Sequence, residues 1–499
     1  MKKYKNPERV FQDYIKSLAE IEQVGSLIDI TSNPLLYSRK FLPEEKPELR
    51  FLESRKKKLT LTIDILKFPF LILFNAVIHY LVLNARNRNV NQINSGNETF
   101  DYIFVSHLVD SPTNDVIEDK FLGLISRHMA FKNKTLALFI PHFYPSKKLT
   151  PLYGDHPSQL LTRTTNSKKI VSLIVENSLQ AINLYRAAWT PKPIDINSRL
   201  LLVKAANRQI HRDCLFDHII ADNCAGFVSR HRPKIFFMTY EGHTFEITTI
   251  KKLKDLFPQL VIMAYQHAPI VNSQSGFFRG LKFFTQNVYL LTSGEVTAQI
   301  ATMANNETAR NVRILGSDKY LLWEEFDNEH KNNMDFTVLL VPEASGAAVL
   351  ELIELTERVF RGMPIQFCIR LHPRMKFSGL SQELTEKLGR IGVSSNQELQ
   401  TDIRNAQACS YRSSAAALQA MQIGLLPIFL SSYPDSLLDP LYLVGQLPKY
   451  GELYEWIQMQ STSRERNVFC DEKQNLIREV GSNYFAKENQ ETMEWILRF

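Results

Sequence analysis

The chain has 499 residues, 44% hydrophobic and 22% charged, with a formal net charge of +7. Its length exceeds one ordinary core and its balance is globular, which excludes a fibrous or disordered class. The mild positive charge suits anionic ligands or a membrane surface and excludes a dedicated nucleic-acid binder.

The N-terminus, MKKYKNPERVFQDYIK, is basic without an apolar run behind it, so it does not read as a secretory signal. Residues 1–95 read as a helical extension, with Val10, Phe11, Tyr14, Ile15, Leu18 and Ile21 at helical spacing. The basic run Ser54–Lys58 leads to Phe68–Leu83, FPFLILFNAVIHYLVL, which is apolar but carries Pro69, Asn75 and His79. It is shorter than the roughly 20 residues a membrane-spanning helix needs. It reads either as a buried helix or as a peripheral contact with anionic membrane, Arg55–Lys58 facing the lipid. Asn84–Thr99 is polar and Asn-rich, as a linker is.

From Phe100 the pattern changes to continuous apolar runs separated by helical stretches. Strands are predicted in FDYIFVSHLVD (100–110), KTLALFIPHF (134–143), PKIFFMTYEG (233–242), QLVIMAYQHA (259–268), NVYLLTSGE (287–295) and NVRILGSDK (311–319). The charged stretch Leu321–Met334 reads as an interdomain linker, after which the pattern restarts. DFTVLLVPEA (335–344), PIQFCIRLHPR (364–374), AQACSYRSSA (406–415) and LLPIFLSS (425–432) are strands, and LGRIGV opens into another. Such alternation implies parallel sheets covered on both faces, here in two tandem α/β domains, residues 96–325 and 326–480. The last stretch, residues 481–499, is predicted to cross back as a helix onto the first domain. The five cysteines, Cys214, Cys224, Cys368, Cys409 and Cys470, form no CxxC pair or Cys/His cluster. They read as reduced thiols, with neither a disulfide framework nor a zinc site.

In an open α/β sheet, ligands sit outside the carboxyl ends of the strands. The polar clusters VSHLVD, TYEGH, YQHAP, TSGE, LGSDK, VPEASG, RLHPR and YRSSA all fall there. In the second domain, Ser413 and Ser414 start a helix, where backbone N–H groups favour a phosphate and where serine is also an ordinary cap. His372 can donate to a phosphate or base edge, Pro373 fixes its backbone, and Arg370 and Arg374 can clamp a phosphate or carboxylate. Glu343 and Ser345 lie in a further strand-to-helix turn, PEASG, that brings backbone close to an anion. Neither Walker A nor GxGxxG spacing is present. In the first domain, Glu241, His243 and Glu246 occupy YEGHTFE and His267 ends the following strand. Parallel pairing would set Glu241 beside His267, suited to shared acid–base work or to a structural pair. His107, Asp110 and Asp115 are a second candidate set.

The order strand–RLHPR, then strand–SSAAALQAMQIGLLPIFL, resembles the donor-binding domain of GT-B glycosyltransferases, in particular bacterial sialyltransferases, polysialyltransferases and capsule Kdo transferases. YEGHTFE and AYQHAPI resemble stretches of surface-carbohydrate glycosyltransferases. The resemblance runs from about residue 100 to residue 430 and leaves the N-terminal helices out. It implies a GT-B-like fold of two Rossmann-like domains facing across a cleft. It implies a cytidine monophosphate site at His372, Pro373, Ser413 and Ser414. It implies transfer of a sugar, most simply a CMP-linked ulosonic or nonulosonic acid, to a surface glycan or lipid-linked precursor at the inner face of the cytoplasmic membrane. No cofactor beyond the nucleotide-sugar donor is expected, and no DxD-like site calls for a metal. The same short motifs occur in CDP-glycerol phosphotransferases, and an inert scaffold of the same fold is the reading from outside enzymology.

Overall fold

The computed structural model describes residues 7–24, 33, 35–36, scattered positions from 57 to 75, 99–108, 119, 121–122, 135–141, 152–153, 156–161, 167–189, 194–321, 336–372, 375, 381–394, 398–462 and 471–499. Two sheets dominate. The first contains β1 (Tyr102–Leu108), β2 (Thr135–Pro141), β3 (Leu152–Tyr153), β4 (His156–Leu160), β5 (Ile235–Thr239), β6 (Val261–Gln266), β7 (Val288–Thr292) and β8 (Val312–Ile314). Their order is β3-β4-β2-β1-β5-β6-β7-β8. Seven strands run parallel, and β3 pairs antiparallel with β4. The second sheet holds β9 (Phe336–Val341), β10 (Ile365–Ile369), β11 (Ala408–Tyr411) and β12 (Leu426–Phe429), all parallel, in the order β10-β9-β11-β12. Helices cover both faces, which is why β1, β5 and β6 are buried along their whole lengths and apolar up to the polar residues at their carboxyl ends.

Each sheet has one point where the chain reverses its direction of travel across the strands. In the first, β1 leads to β2 on one side and β5 leads to β6 on the other. In the second, β9 leads to β10 and β11 leads to β12. The crevice at such a point is where ligands bind in open α/β sheets. The carboxyl-end loops of the two sheets meet. Ser273 N donates to Leu437 O at 3.2 Å and Asn272 Nδ2 to Ser436 O at 3.0 Å, joining the loop after β6 to the segment after β12.

The helix Pro7–Val24 buries Val10, Phe11, Tyr14, Leu18 and Ile21 on one face, as its spacing requires. It is part of the first unit's core. Tyr14 OH donates to Leu35 O at 2.7 Å and lies 3.2 Å from Ser275 Oγ, and burial pushes its hydroxyl up to about 12. Glu20 accepts from Asp195 N and Ser198 Oγ. At the other terminus, the helix Gln490–Ile496 sets Met493 and Ile496 among Tyr102, Phe237, Met263 and Leu315 of the first unit.

Two local expectations differ from the structure. β3 and β4 were not anticipated, because two residues, and a five-residue run as polar as HPSQL, give no strand signal. LGRIGV does not open a strand. Leu388–Ile391 complete the helix Gln382–Ile391, Gly392 ends it at φ 89°, and Val393 makes a single bridge to Ile369. The four described cysteines are free thiols. Most of the Asn84–Thr99 linker and residues 322–335 lie outside the described residues.

Candidate functional site

At the β1/β5 crevice, Glu241 stands two residues beyond β5 and is 7% exposed. The parallel β5–β6 register brings His267, just past β6, beside it, with Nε2 2.9 Å from Glu241 Oε1. His243 Nε2 lies 3.8 Å from Glu241 Oε2. His267 is 6% exposed, and its Nδ1 is buried with no hydrogen-bond partner among the described residues. An imidazole held through one nitrogen presents the other as the proton acceptor once the first carries the hydrogen.

The turn that carries Glu241 is fixed by Glu246, which is wholly buried at the start of the helix Thr244–Leu256. Its Oε2 accepts the backbone N–H groups of Glu241 and His243, each at 2.8 Å, and its Oε1 accepts from Thr239 Oγ1 at 3.3 Å. Gly242 takes φ 82°, and a Cβ there would come within 2.1 Å of Phe277 N, so the turn needs glycine both for its backbone angle and for the passing chain. The ligating atoms of His107, His243 and Glu246 lie within 4.8 Å of one another. Their types suit a transition metal, but a cation there would compete for carboxylate lone pairs that already hold the turn. We therefore assign Glu246 to structure.

Two functional groups escaped the sequence reading. Lys319, which follows β8, is half-buried and donates through Nζ to His267 O at 2.7 Å. Burial lowers its ammonium to about 8, with the charges of Glu241 and Asp318 pulling the other way. Its own carbonyl accepts from Gln422 Nε2 at 2.7 Å, and Leu321 N donates to Gln422 Oε1 at 2.7 Å. Gln422 caps the helix Ala415–Met421 of the second unit, so this lysine spans both units. Asp119 accepts from Ser106 Oγ at 2.7 Å and from the backbone N–H groups of Phe121 and Leu122 at 2.8 and 3.1 Å. Burial raises its carboxyl, these donors oppose the shift, and His267 lies within its field. Its sequence signal is an aspartate two residues before an apolar pair, in the stretch that also holds Asp115. Asp110 and Asp115 lie outside the described residues.

At the β9/β11 crevice of the second sheet, the donor candidates come to one edge. Glu343 and Ser345 follow β9, Arg370 and His372 follow β10, and Ser413 and Ser414 follow β11. Ser413 Oγ donates to Glu343 Oε1 across the crevice, and Arg412 Nε lies 3.6 Å from Glu343 Oε2. Ser414 caps its helix by accepting from Ala416 N, and Ser345 caps Gly346–Val359 by accepting from Ala348 N, each at 3.3 Å. Arg370 has a partner the sequence did not announce. Its Nη1 is 2.6 Å from Asp402 Oδ2, and Ser394 Oγ donates to the other oxygen of Asp402 at 2.6 Å. Pro373 and Arg374 lie outside the described residues.

No family model matches the chain, and no curated protein matches it. Among solved structures it is similar to the glycosyltransferase SnogD from Streptomyces nogalater, at 10% identity over 80% of this chain and 99% of that one, with a TM-score of 0.40. It is similar to UDP-N-acetylglucosamine 2-epimerase from Rickettsia bellii, at 10% identity over 80% and 97%, with a TM-score of 0.41. It is similar to Anabaena Alr3699/HepE in complex with UDP, at 9% identity over 80% and 100%, with a TM-score of 0.39. At this distance they lend nothing to the chemistry, which rests on this chain's own residues.

Proposed function

We propose that the protein is a glycosyltransferase that moves a sugar from a nucleotide donor, most simply a CMP-linked ulosonic or nonulosonic acid, to a hydroxyl of a glycan or lipid-linked glycan. The observation that carries this is the pairing of a buried Glu241–His267 couple at one crevice with a hydroxyl-rich edge at the other, and Lys319 joined to both units. Acid–base groups and an anion-binding edge on facing sheets are what transfer from a phosphate leaving group needs.

In this reading the acceptor hydroxyl gives its proton to His267 Nδ1, while Glu241 holds Nε2 and stabilises the imidazolium. The acceptor oxygen bonds to the anomeric carbon as the bond from that carbon to the phosphate oxygen breaks. The electron pair leaves with the nucleotide, whose phosphate sits by Ser413, Ser414 and His372. One displacement inverts the anomeric centre. The resemblance of RLHPR and the Ser413–Ser414 pair to CMP-sugar enzymes supports cytidine as the base. Arg370 Nη1 rests on Asp402 Oδ2, which orients the guanidinium at this edge.

The test is calorimetry with CMP, CDP, UDP and GDP on the purified protein, followed by product analysis with the preferred donor. Tightest binding of CMP and a product of inverted configuration support the reading. Absence of binding to all four assigns the fold to a scaffold, and transfer of a polyol phosphate assigns it to phosphotransfer.

A further inference from the structure

We propose that the outward faces of two touching helices form a docking surface for an anionic lipid membrane. The first face belongs to the helical positions between residues 61 and 75. There Leu61, Asp64 and Phe68 are buried, and Asp64 pairs with Lys204 at 2.6 Å. The opposite face presents Ile63, Lys67, Phe70 and Phe74, spaced four, three and four apart, all exposed. Phe70 is 77% and Phe74 63% exposed, an arrangement that water penalises and a core does not explain.

The second face is on the helix Ser167–Ala187. Val171, Val175 and Leu179 are exposed at spacings of four, on the side opposite to buried Leu173, Ala181 and Leu184. Lys168 and Arg186 bracket that stripe on the same side and are exposed. The two helices meet where Phe68 stacks on Tyr185, ring centroids 4.6 Å apart, and Trp189 lies half-exposed beside Tyr185. The helices therefore touch through Phe68 and Tyr185, and each carries its apolar stripe on a face directed away from that contact.

Charge selects the occupant. Each stripe joins apolar side chains to cations, with exposed Glu176 at the border of the second, and cations flanking an apolar face are the pattern of a helix lying in a lipid interface with its cations at the anionic headgroups. A second copy would set these cations against one another across a two-fold axis. No helix among the described residues is long and apolar enough to cross a membrane, so the contact lies on the surface. A long apolar acceptor anchored in the same membrane would reach such a protein laterally. The docking surface itself does not depend on the reaction proposed above.

The experiment is flotation of the full-length protein with vesicles of phosphatidylcholine, alone or mixed with phosphatidylglycerol. Binding to the mixed vesicles that declines as salt rises is expected. Replacing both exposed phenylalanines, Phe70→Ser with Phe74→Ser, should weaken partitioning on the order of 100-fold. Val175→Ser with Leu179→Ser should weaken it on the order of 10-fold. Both variants should melt at the wild-type temperature, since these side chains hold no core. Failure to float at any salt, or flotation unchanged in both variants, overturns the proposal. So does sedimentation equilibrium showing a wild-type dimer, without vesicles, that the phenylalanine variant dissociates, because that result gives the face to a second copy.

Discussion

The two crevices are built alike and furnished differently. In each, two strands whose connections run in opposite directions leave polar loops side by side. The β1/β5 crevice holds Glu241, His267 and Lys319 linked within hydrogen-bond distance, with Asp119 nearby. The β9/β11 crevice holds two serine hydroxyls that cap helices, a third serine, Ser413, that donates to Glu343, and an arginine paired with Asp402. Same topology with unlike side chains means the crevice itself confers only a place. Under the proposed function, the buried and mutually contacting titratable groups of the first sheet would carry proton transfer, and the part-buried hydroxyls of the second would anchor the donor.

The sharpest way to break that division is Glu241→Gln. The substitution keeps the shape and the turn, because Glu246 binds the backbone and not the side chain of Glu241. It removes the charge that stabilises an imidazolium at His267. Turnover should fall by about 100-fold or more, with nucleotide affinity unchanged, as measured by initial rates and calorimetry. A variant with weakened nucleotide binding and intact turnover would reverse the assignment of the two crevices.

The converse substitution is His372→Ala. It should weaken CMP binding by about 10- to 150-fold, the cost of one hydrogen bond to a charged group, and leave the turnover of saturated enzyme largely intact. Ser413→Ala should act in the same direction and also remove one of the partners of Glu343, leaving Arg412 beside it. Equal CMP affinity in wild type and both variants would remove the donor from this edge.

Lys319 belongs to both crevices and so measures their coupling. Its ammonium titrates near 8 because burial disfavours the charged form. As pH rises through that value the charge beside Glu241 is lost. The rate is therefore expected to fall on the alkaline side, around pH 8, in the wild type. Lys319→Arg keeps the charge at all accessible pH and should abolish that limb while lowering the rate several-fold through altered geometry. An unchanged limb in the variant assigns the titration to another group.

How much of this could be read beforehand depends on range. The strands were legible because a strand buried on both faces is apolar without interruption, and the Glu241–His267 contact followed from two neighbouring strand ends. Lys319 was not legible, since LGSDK looks like any strand-end loop until Gln422, at the end of the distant helix Ala415–Met421, is brought to it. Arg370 was legible as a strand-end cation, but its partner was not. A lone arginine after a strand looks available, and only the fold sets it against Asp402, 32 residues away in the chain. Local pattern gives elements and their ends, whereas partners contributed by remote segments decide which polar groups are structural.

The mildest expected consequence for catalysis comes from a carboxyl that borders the second crevice and serves the fold. Asp439 is 1% exposed, and its Oδ1 accepts from Tyr411 OH at 2.7 Å and from Leu441 N at 2.9 Å, capping the helix Pro440–Gly445. Its Oδ2 is buried without a hydrogen-bond partner among the described residues. Burial raises its carboxyl to about 7, against the pull of the two donors, and nearby Asp435 adds to the rise. The folded chain thus holds the proton more tightly than the unfolded chain. Stability from this group is full below the ordinary carboxyl value of 3.8, declines as pH rises to about 7, and is level beyond it. The loss across that window is at most about 4 kcal/mol. Asp439→Asn keeps the acceptor for Tyr411 and Leu441 and cannot ionise. Denaturant unfolding at pH 5 and at pH 8 should show the variant gaining on the wild type at the higher pH, with turnover and CMP affinity unchanged. A variant that loses turnover while its stability follows the wild type at both pH values would make Asp439 a working acid of the second crevice and erase the contrast between the two.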